Sequence, residues 1–69
     1  MSLTYFIVRS YHSVGTSFAI YDTTFRIKEE AMATACMHSH DVPCVEVLSL
    51  VAGEDFEPTQ VAVFGTVPA

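Results

Sequence analysis

The sequence contains no tryptophan, only two cysteines, and only three lysine or arginine residues. Direct nucleic-acid binding requires many neutralised phosphates, so three cations argue against it. No apolar run approaches the roughly 18–20 residues of a transmembrane helix, so we expect no membrane association. Two cysteines are too few for a secreted disulfide framework, and no secretory leader is visible. We therefore expect a cytoplasmic protein with free thiols.

What the chain does have is apolar residues. Of its 69 residues, 51% are hydrophobic and 16% are charged, the reverse of a disordered composition. No linker or repeat interrupts the sequence, so residues 1–69 are interpreted as a single domain. A chain of this size has a thin stability margin, and part of its apolar surface is expected to stay exposed for a partner. We expect a monomer or a weak homodimer.

Hydrophobic periodicity predicts the order β-β-α-β-β. Asp22-Thr23-Thr24 is interpreted as a break whose side chains cap the helix, and Pro43 as the residue that stops it. The predicted class is α+β, a four-stranded antiparallel sheet in the order 2-1-3-4 with one helix packed on one face. The predicted elements are strands Leu3–Ser10 and Ser17–Tyr21, helix Lys28–Ser39, and strands Cys44–Val51 and Val61–Val67. The helix start between Thr23 and Lys28 is left open, because Phe25 and Ile27 could equally prolong the second strand.

One face of the predicted helix is apolar. At 100° per residue, Ala31, Met32, Ala35 and Cys36 lie on the same side and are expected to pack against the sheet. Both cysteines, Cys36 and Cys44, are expected in the core.

Negative charge is concentrated in the second half of the chain. Residues 1–35 carry balanced charges, whereas residues 36–69 carry five carboxylates and no lysine or arginine, which accounts for the net charge of −5. Such a surface would steer a basic partner, and an aromatic residue among the acids would anchor it. The alternative is a solvated loop with Phe56 folded under the sheet edge. The candidate partner-binding residues are Glu54, Asp55, Phe56 and Glu57, then Glu46 and Asp41, then Glu29 and Glu30.

A zinc site is the competing hypothesis. Cys36, His40 and Cys44 lie within nine residues, and these are ligand types that zinc prefers, although the spacing matches no standard motif. Catalysis is not expected, because a nucleophilic cysteine needs an orienting group and a cleft that so small a chain has little room for. The chain also has no glycine-rich phosphate loop. We therefore predict a protein that is not an enzyme and has no cofactor.

In size, acidity, element order and a helix containing Glu-Glu-Ala-Met-Ala-Thr-Ala-Cys, the chain resembles the small phage-encoded anti-CRISPR proteins, above all the acidic inhibitors of type I systems. The resemblance implies a protein of the bacterial host cytoplasm that binds a basic surface of a CRISPR effector complex. Its carboxylates would mimic DNA phosphates and block target DNA binding. A generic phage accessory protein remains the other alternative.

Overall fold

The computed structural model describes residues 3–54 and 56–68, which form one four-stranded antiparallel sheet and one helix. The predicted α+β class and the strand order β2-β1-β3-β4 are confirmed. The element bounds are β1 Thr4–Val14, β2 Ser17–Phe25, α1 Lys28–His38, β3 Cys44–Val51 and β4 Thr59–Gly65.

The β1–β2 hairpin is longer than the sequence pattern predicts. A two-residue turn joins the strands, and its Gly15 has φ 60°, a left-handed conformation that glycine adopts without a steric penalty. The predicted break at Asp22-Thr23-Thr24 is wrong, because all three residues continue β2. Asp22 lies opposite Arg9, and their bidentate ion pair has N–O distances of 2.8 and 3.0 Å. The N-cap of α1 is instead Ile27, which makes no side-chain capping bond.

Helix α1 covers one face of the sheet, called here the covered face. Ala31 and Ala35, one turn apart, are fully buried against Val8, Val45 and Val47. Their small side chains let the helix backbone approach the valine surface closely. The partly buried residues packed around this core are Phe6, Phe25, Met32, Val42, Ala62 and Phe64.

The expected helix face is correct except for one residue. Cys36 is exposed, so the prediction that it lies in the core is wrong. The Ala31–Ala35 pair defines the stripe that faces the sheet, and Cys36 lies 100° away from Ala35 around the helix. Cys44 is buried, as expected.

Strands β3 and β4 complete the sheet. The bounds of β3 match the prediction, whereas β4 begins and ends two residues earlier than predicted. The β3–β4 pairing contains a register shift at Val47/Leu48. Gly65 has φ 89°, and a Cβ at this position would clash with the carbonyl oxygen of Pro43. Any other residue there would therefore strain the end of the sheet.

The opposite side of the sheet is the uncovered face, because no helix of the described residues packs on it. Strand alternation places Arg9, Tyr11 and Glu46 on this face, with Phe18, Ile20 and Val63 exposed around them. No helix in the described part of the chain has the length and apolarity needed to cross a membrane.

Candidate functional site

The candidate residues lie at two opposite ends of the sheet. Thr4 pairs with Val51 and Phe6 with Phe25, so the start of α1 and the β3–β4 loop lie at one end, called here the loop end. The C-terminus of α1 and the start of β3 lie at the other end, called here the cleft end. Antiparallel pairing thus separates carboxylates that the sequence places in one half of the chain.

The β3–β4 loop presents an aromatic residue among acids. Phe56 is completely exposed, which excludes the alternative that it folds under the sheet edge. Glu54 and Glu57 are exposed beside it, and the backbone N–H of Glu54 donates to the Val51 carbonyl at 3.1 Å. Asp55, the fourth member of the predicted group, lies outside the described residues.

Helix α1 adds two acidic residues to the loop end. Glu29 and Glu30 occupy its first turn and are exposed, where a negative charge also stabilises the helix dipole. Two cations lie at the same end. Arg26 places its guanidinium carbon 5.3 Å from the centroid of the Tyr5 ring, and Lys28 is exposed.

The charge balance at the loop end is negative. The described residues at this end include four glutamates and two cations, which gives a net charge of −2. The glutamates are Glu29, Glu30, Glu54 and Glu57, and the cations are Arg26 and Lys28. The loop end is therefore acidic, but less so than the charge of the second half of the sequence suggests. The reason is that the fold brings the start of α1 and its cations to the same end of the sheet.

Glu46 does not belong to an exposed acidic surface. Its side chain is 8% exposed on the uncovered face, where it accepts hydrogen bonds from the Tyr11 hydroxyl and from Gln60 Nε2, the latter at 2.9 Å. The expectation of a solvent-facing carboxylate is corrected here, because neighbouring strands supply both donors. Burial, and then the hydrogen bond to Glu46, raise the pKa of Tyr11.

A polar row crosses the uncovered face from edge to edge. Asp22 on β2 pairs with Arg9 on β1, Tyr11 follows on the same strand, and Glu46 on β3 links it to Gln60 on β4. The hydrogen bond that the Arg9 guanidinium donates to Asp22 raises the pKa of Arg9 above its usual value, so the guanidinium stays charged. The row therefore ties all four strands together through side chains.

Asp41 lies at the cleft end, away from the loop acids. It follows α1, and its backbone N–H donates to the His38 carbonyl at 3.0 Å. It borders an open cleft of about 470 Å³ between the end of α1 and the β1–β2 hairpin. The residues that line this cleft are Ser10, His12, Tyr21, Thr23, His38, Asp41 and Val42.

The cleft residues on the hairpin were not predicted. Ser10 Oγ lies 3.0 Å from His12 Nε2, and the His12 and Tyr21 rings meet edge to face at 4.9 Å. The spacing of Ser10 and His12 by two residues places both on one face of a strand, and this signal was present in the sequence. The predicted elements do not use it, because His12 falls between the predicted strands Leu3–Ser10 and Ser17–Tyr21.

The ligands proposed for zinc do not converge. Cys36 is exposed on α1, whereas Cys44 is buried in β3. In the described ranges, no three histidine, cysteine or acidic side chains are placed to hold a metal ion. Burial, and then the charge of Glu46, raise the pKa of the Cys44 thiol, which disfavours the thiolate that binds zinc.

Comparison with family models, with curated proteins and with solved structures gives no match to this chain.

Proposed function

We propose that this chain is an inhibitory binding protein that uses its loop end to occupy a basic surface of another protein. The observation that carries this proposal is the complete exposure of Phe56 between Glu54 and Glu57. Because this aromatic side chain is fully exposed to water, its burial under a partner would contribute the full hydrophobic free energy to binding. Burying a phenylalanine contributes about 1.5–3 kcal/mol.

The surrounding carboxylates would steer a positively charged partner toward this contact. Rim charges mainly raise the association rate and exclude partners of the same charge, while the central aromatic residue supplies affinity. Glu29 and Glu30 extend the acidic rim from the helix side of the loop end. A partner that suits this surface has a pocket for Phe56 bordered by lysine or arginine side chains.

The resemblance to anti-CRISPR proteins makes a type I surveillance complex the proposed partner. Surfaces that bind target DNA are rich in lysine and arginine, which are the groups that the loop-end glutamates would pair with. Occupation of such a surface would prevent DNA binding without any chemical reaction. The net charge of the loop end is small. We therefore expect Phe56 to contribute a larger share of the binding free energy than an aromatic residue contributes in a protein that binds only by mimicking phosphates.

DNA binding by a purified type I complex tests this proposal. We expect the chain to lower DNA affinity in a dose-dependent manner and to co-elute with the complex in the absence of DNA. Unchanged DNA affinity at a large excess of the chain would reject the proposed partner.

Two variants test the role of the loop end. Phe56→Ala is expected to weaken inhibition by about tenfold or more, as for a central interface aromatic. Phe18→Ala is its control, because Phe18 is an exposed aromatic on the uncovered face. Glu57→Lys is expected to slow association, with the double variant Ser13→Lys/Thr16→Lys as a control of equal charge change at the exposed tip of the β1–β2 hairpin. Equal effects of test and control variants would mean that the loop end is not the contact.

A second candidate function is self-association as a phage accessory protein. The observation in its favour is the apolar surface on the uncovered face, where Phe18, Ile20 and Val63 are 44%, 56% and 43% exposed. Light scattering over a range of protein concentrations distinguishes the two candidates. A constant monomer mass at high concentration would count against this second function and leave the first unaffected.

A further inference from the structure

The cleft at the cleft end exists because α1 is much shorter than the hairpin beside it. Eleven helical residues rise about 16 Å, whereas the eleven residues of β1 extend about twice that distance. The covered face therefore continues past the end of α1 with no helix above it. The resulting step between helix and hairpin is the cleft of about 470 Å³.

The hairpin wall of the cleft is aromatic and internally braced. Ser10 is buried, and its hydroxyl lies 3.0 Å from His12 Nε2 and 3.5 Å from the Tyr21 carbonyl oxygen. The His12 and Tyr21 rings stand at 87° to each other. These contacts fix the orientation of His12, so the wall offers ring surface that is ordered before any ligand arrives.

The electrostatics of the cleft favour a cation. Asp41 is the only carboxylate among its lining residues, which also include the imidazoles of His12 and His38, and no lysine or arginine lines it. His38, the last residue of α1, also lines the cleft, so the partial negative charge of the helix C-terminus lies beside the same space. Aromatic faces also attract cations, and planar guanidinium groups stack on them.

We propose that this cleft binds a guanidinium group, namely an arginine side chain presented by a partner protein. The guanidinium would pair with the Asp41 carboxylate and stack on the Tyr21 ring, with the Thr23 hydroxyl on the same wall. Arginine suits the site better than lysine because its planar fork matches a carboxylate and an aromatic ring together. This site is separate from the loop end and does not depend on the identity of the partner proposed above.

Titration of the isolated chain followed by NMR tests this inference. The probe is N-acetyl-argininamide. N-acetyl-lysinamide is the comparison for a cation that is not planar, and N-acetyl-glutamate amide is the comparison for an anion. We expect saturable shifts of the His12 and Tyr21 ring signals with the arginine probe, at a Kd on the order of millimolar. No saturation by about 50 mM, or equal binding of the anion, would overturn the inference.

Two variants locate the interaction. Asp41→Asn keeps the size of the side chain and is expected to weaken arginine binding by about fivefold. Its control is Glu57→Gln, which also removes one carboxylate but lies at the loop end. Equal weakening by both variants would mean non-specific attraction to an acidic protein and would overturn the inference.

A final comparison identifies the source of the guanidinium. A Gly-Gly-Arg-Gly-Gly peptide is expected to bind at least as tightly as the small probe, because the cleft is open and accepts flanking chain. If free L-arginine binds more tightly than the peptide, the cleft is a small-molecule site and the partner-protein assignment is wrong. These measurements use the chain alone, so their outcome is independent of the DNA-binding experiment. Arginine binding can be absent while the chain inhibits a CRISPR complex, and arginine binding can be present while it does not.

Discussion

The covered and uncovered faces of the sheet are stabilised by different chemistry. Beneath α1, valines pack against Ala31 and Ala35, and the contact is apolar. On the uncovered face, the buried residues include Glu46, whose carboxylate is satisfied by Tyr11 and Gln60. The comparison teaches that a sheet too small to carry a second helix can still bury one face partly, provided that each buried polar atom has a partner. In the described part of the chain, no buried side-chain nitrogen or oxygen lacks one.

The largest effect is expected from a charge placed on the covered face. Val47 is 0% exposed, so Val47→Asp would bury an unpaired carboxylate and is expected to unfold the domain, at a cost above about 4 kcal/mol. Ile20→Asp is the comparison on the uncovered face, where the side chain is 56% exposed, and is expected to cost less than about 1 kcal/mol. Urea denaturation followed by circular dichroism measures both. Similar midpoints would contradict the distinction between the faces.

An intermediate effect is expected from the polar row. Tyr11→Phe removes a donor to the buried Glu46 carboxylate and is expected to lower the free energy of unfolding by about 1.5–3 kcal/mol. Tyr5→Phe is the control, because the Tyr5 ring can still contact Arg26 without its hydroxyl. A loss for Tyr11→Phe no greater than for Tyr5→Phe would mean that the buried hydrogen bond contributes no net stability.

The same tyrosine predicts a dependence on alkaline pH. The pKa of Tyr11 is raised above 10.0 in the folded state, so the unfolded chain loses this proton first as the pH rises. The contribution of Tyr11 is therefore complete below about pH 10 and is lost as the pH rises through the folded pKa. Stability measured from pH 8 to 11 is expected to fall less steeply for Tyr11→Phe than for the unaltered chain. Parallel curves would contradict this assignment.

The smallest effect is expected at the edge of the polar row. The Arg9 and Asp22 side chains are 31% and 43% exposed, so their ion pair is screened by solvent despite its bidentate geometry. Asp22→Asn is expected to lower stability by about 0–1 kcal/mol, with a smaller effect in high salt. A loss above about 2 kcal/mol, measured by urea denaturation, would show that this exposed pair matters as much as the buried Glu46 contacts.

Local patterns in the sequence predicted most of the fold. The alternation of Cys44–Val51 predicted the bounds of β3, and the order of the elements together with the right-handed crossover rule predicted the class and the strand order. The errors fall where distant residues override local preference. Asp22, Thr23 and Thr24 favour a helix cap by themselves, but a long antiparallel register with β1 keeps them in β2.

The candidate site was predictable only in part. The exposure of Glu54 and Glu57 follows from a short polar loop, whereas the sequence leaves open whether Phe56 is exposed or folds under the sheet edge. The burial of Glu46 does not, because its donors lie 35 and 14 positions away and reach it only through strand pairing. The hairpin wall of the cleft was not predicted, because His12 lies outside the predicted strands and meets Tyr21 only through the longer β1–β2 pairing of the structure.

The sequence by itself determined the periodicities, because side-chain spacing along a strand or helix is a local property of the backbone. It therefore determined that a helix with an alanine stripe would cover one side of a valine-rich sheet. Only the tertiary structure decided which charges share an end of the molecule, which carboxylate is buried, and where the helix stops short of the hairpin. These outcomes depend on contacts between residues far apart in the chain, and no local pattern encodes their distances.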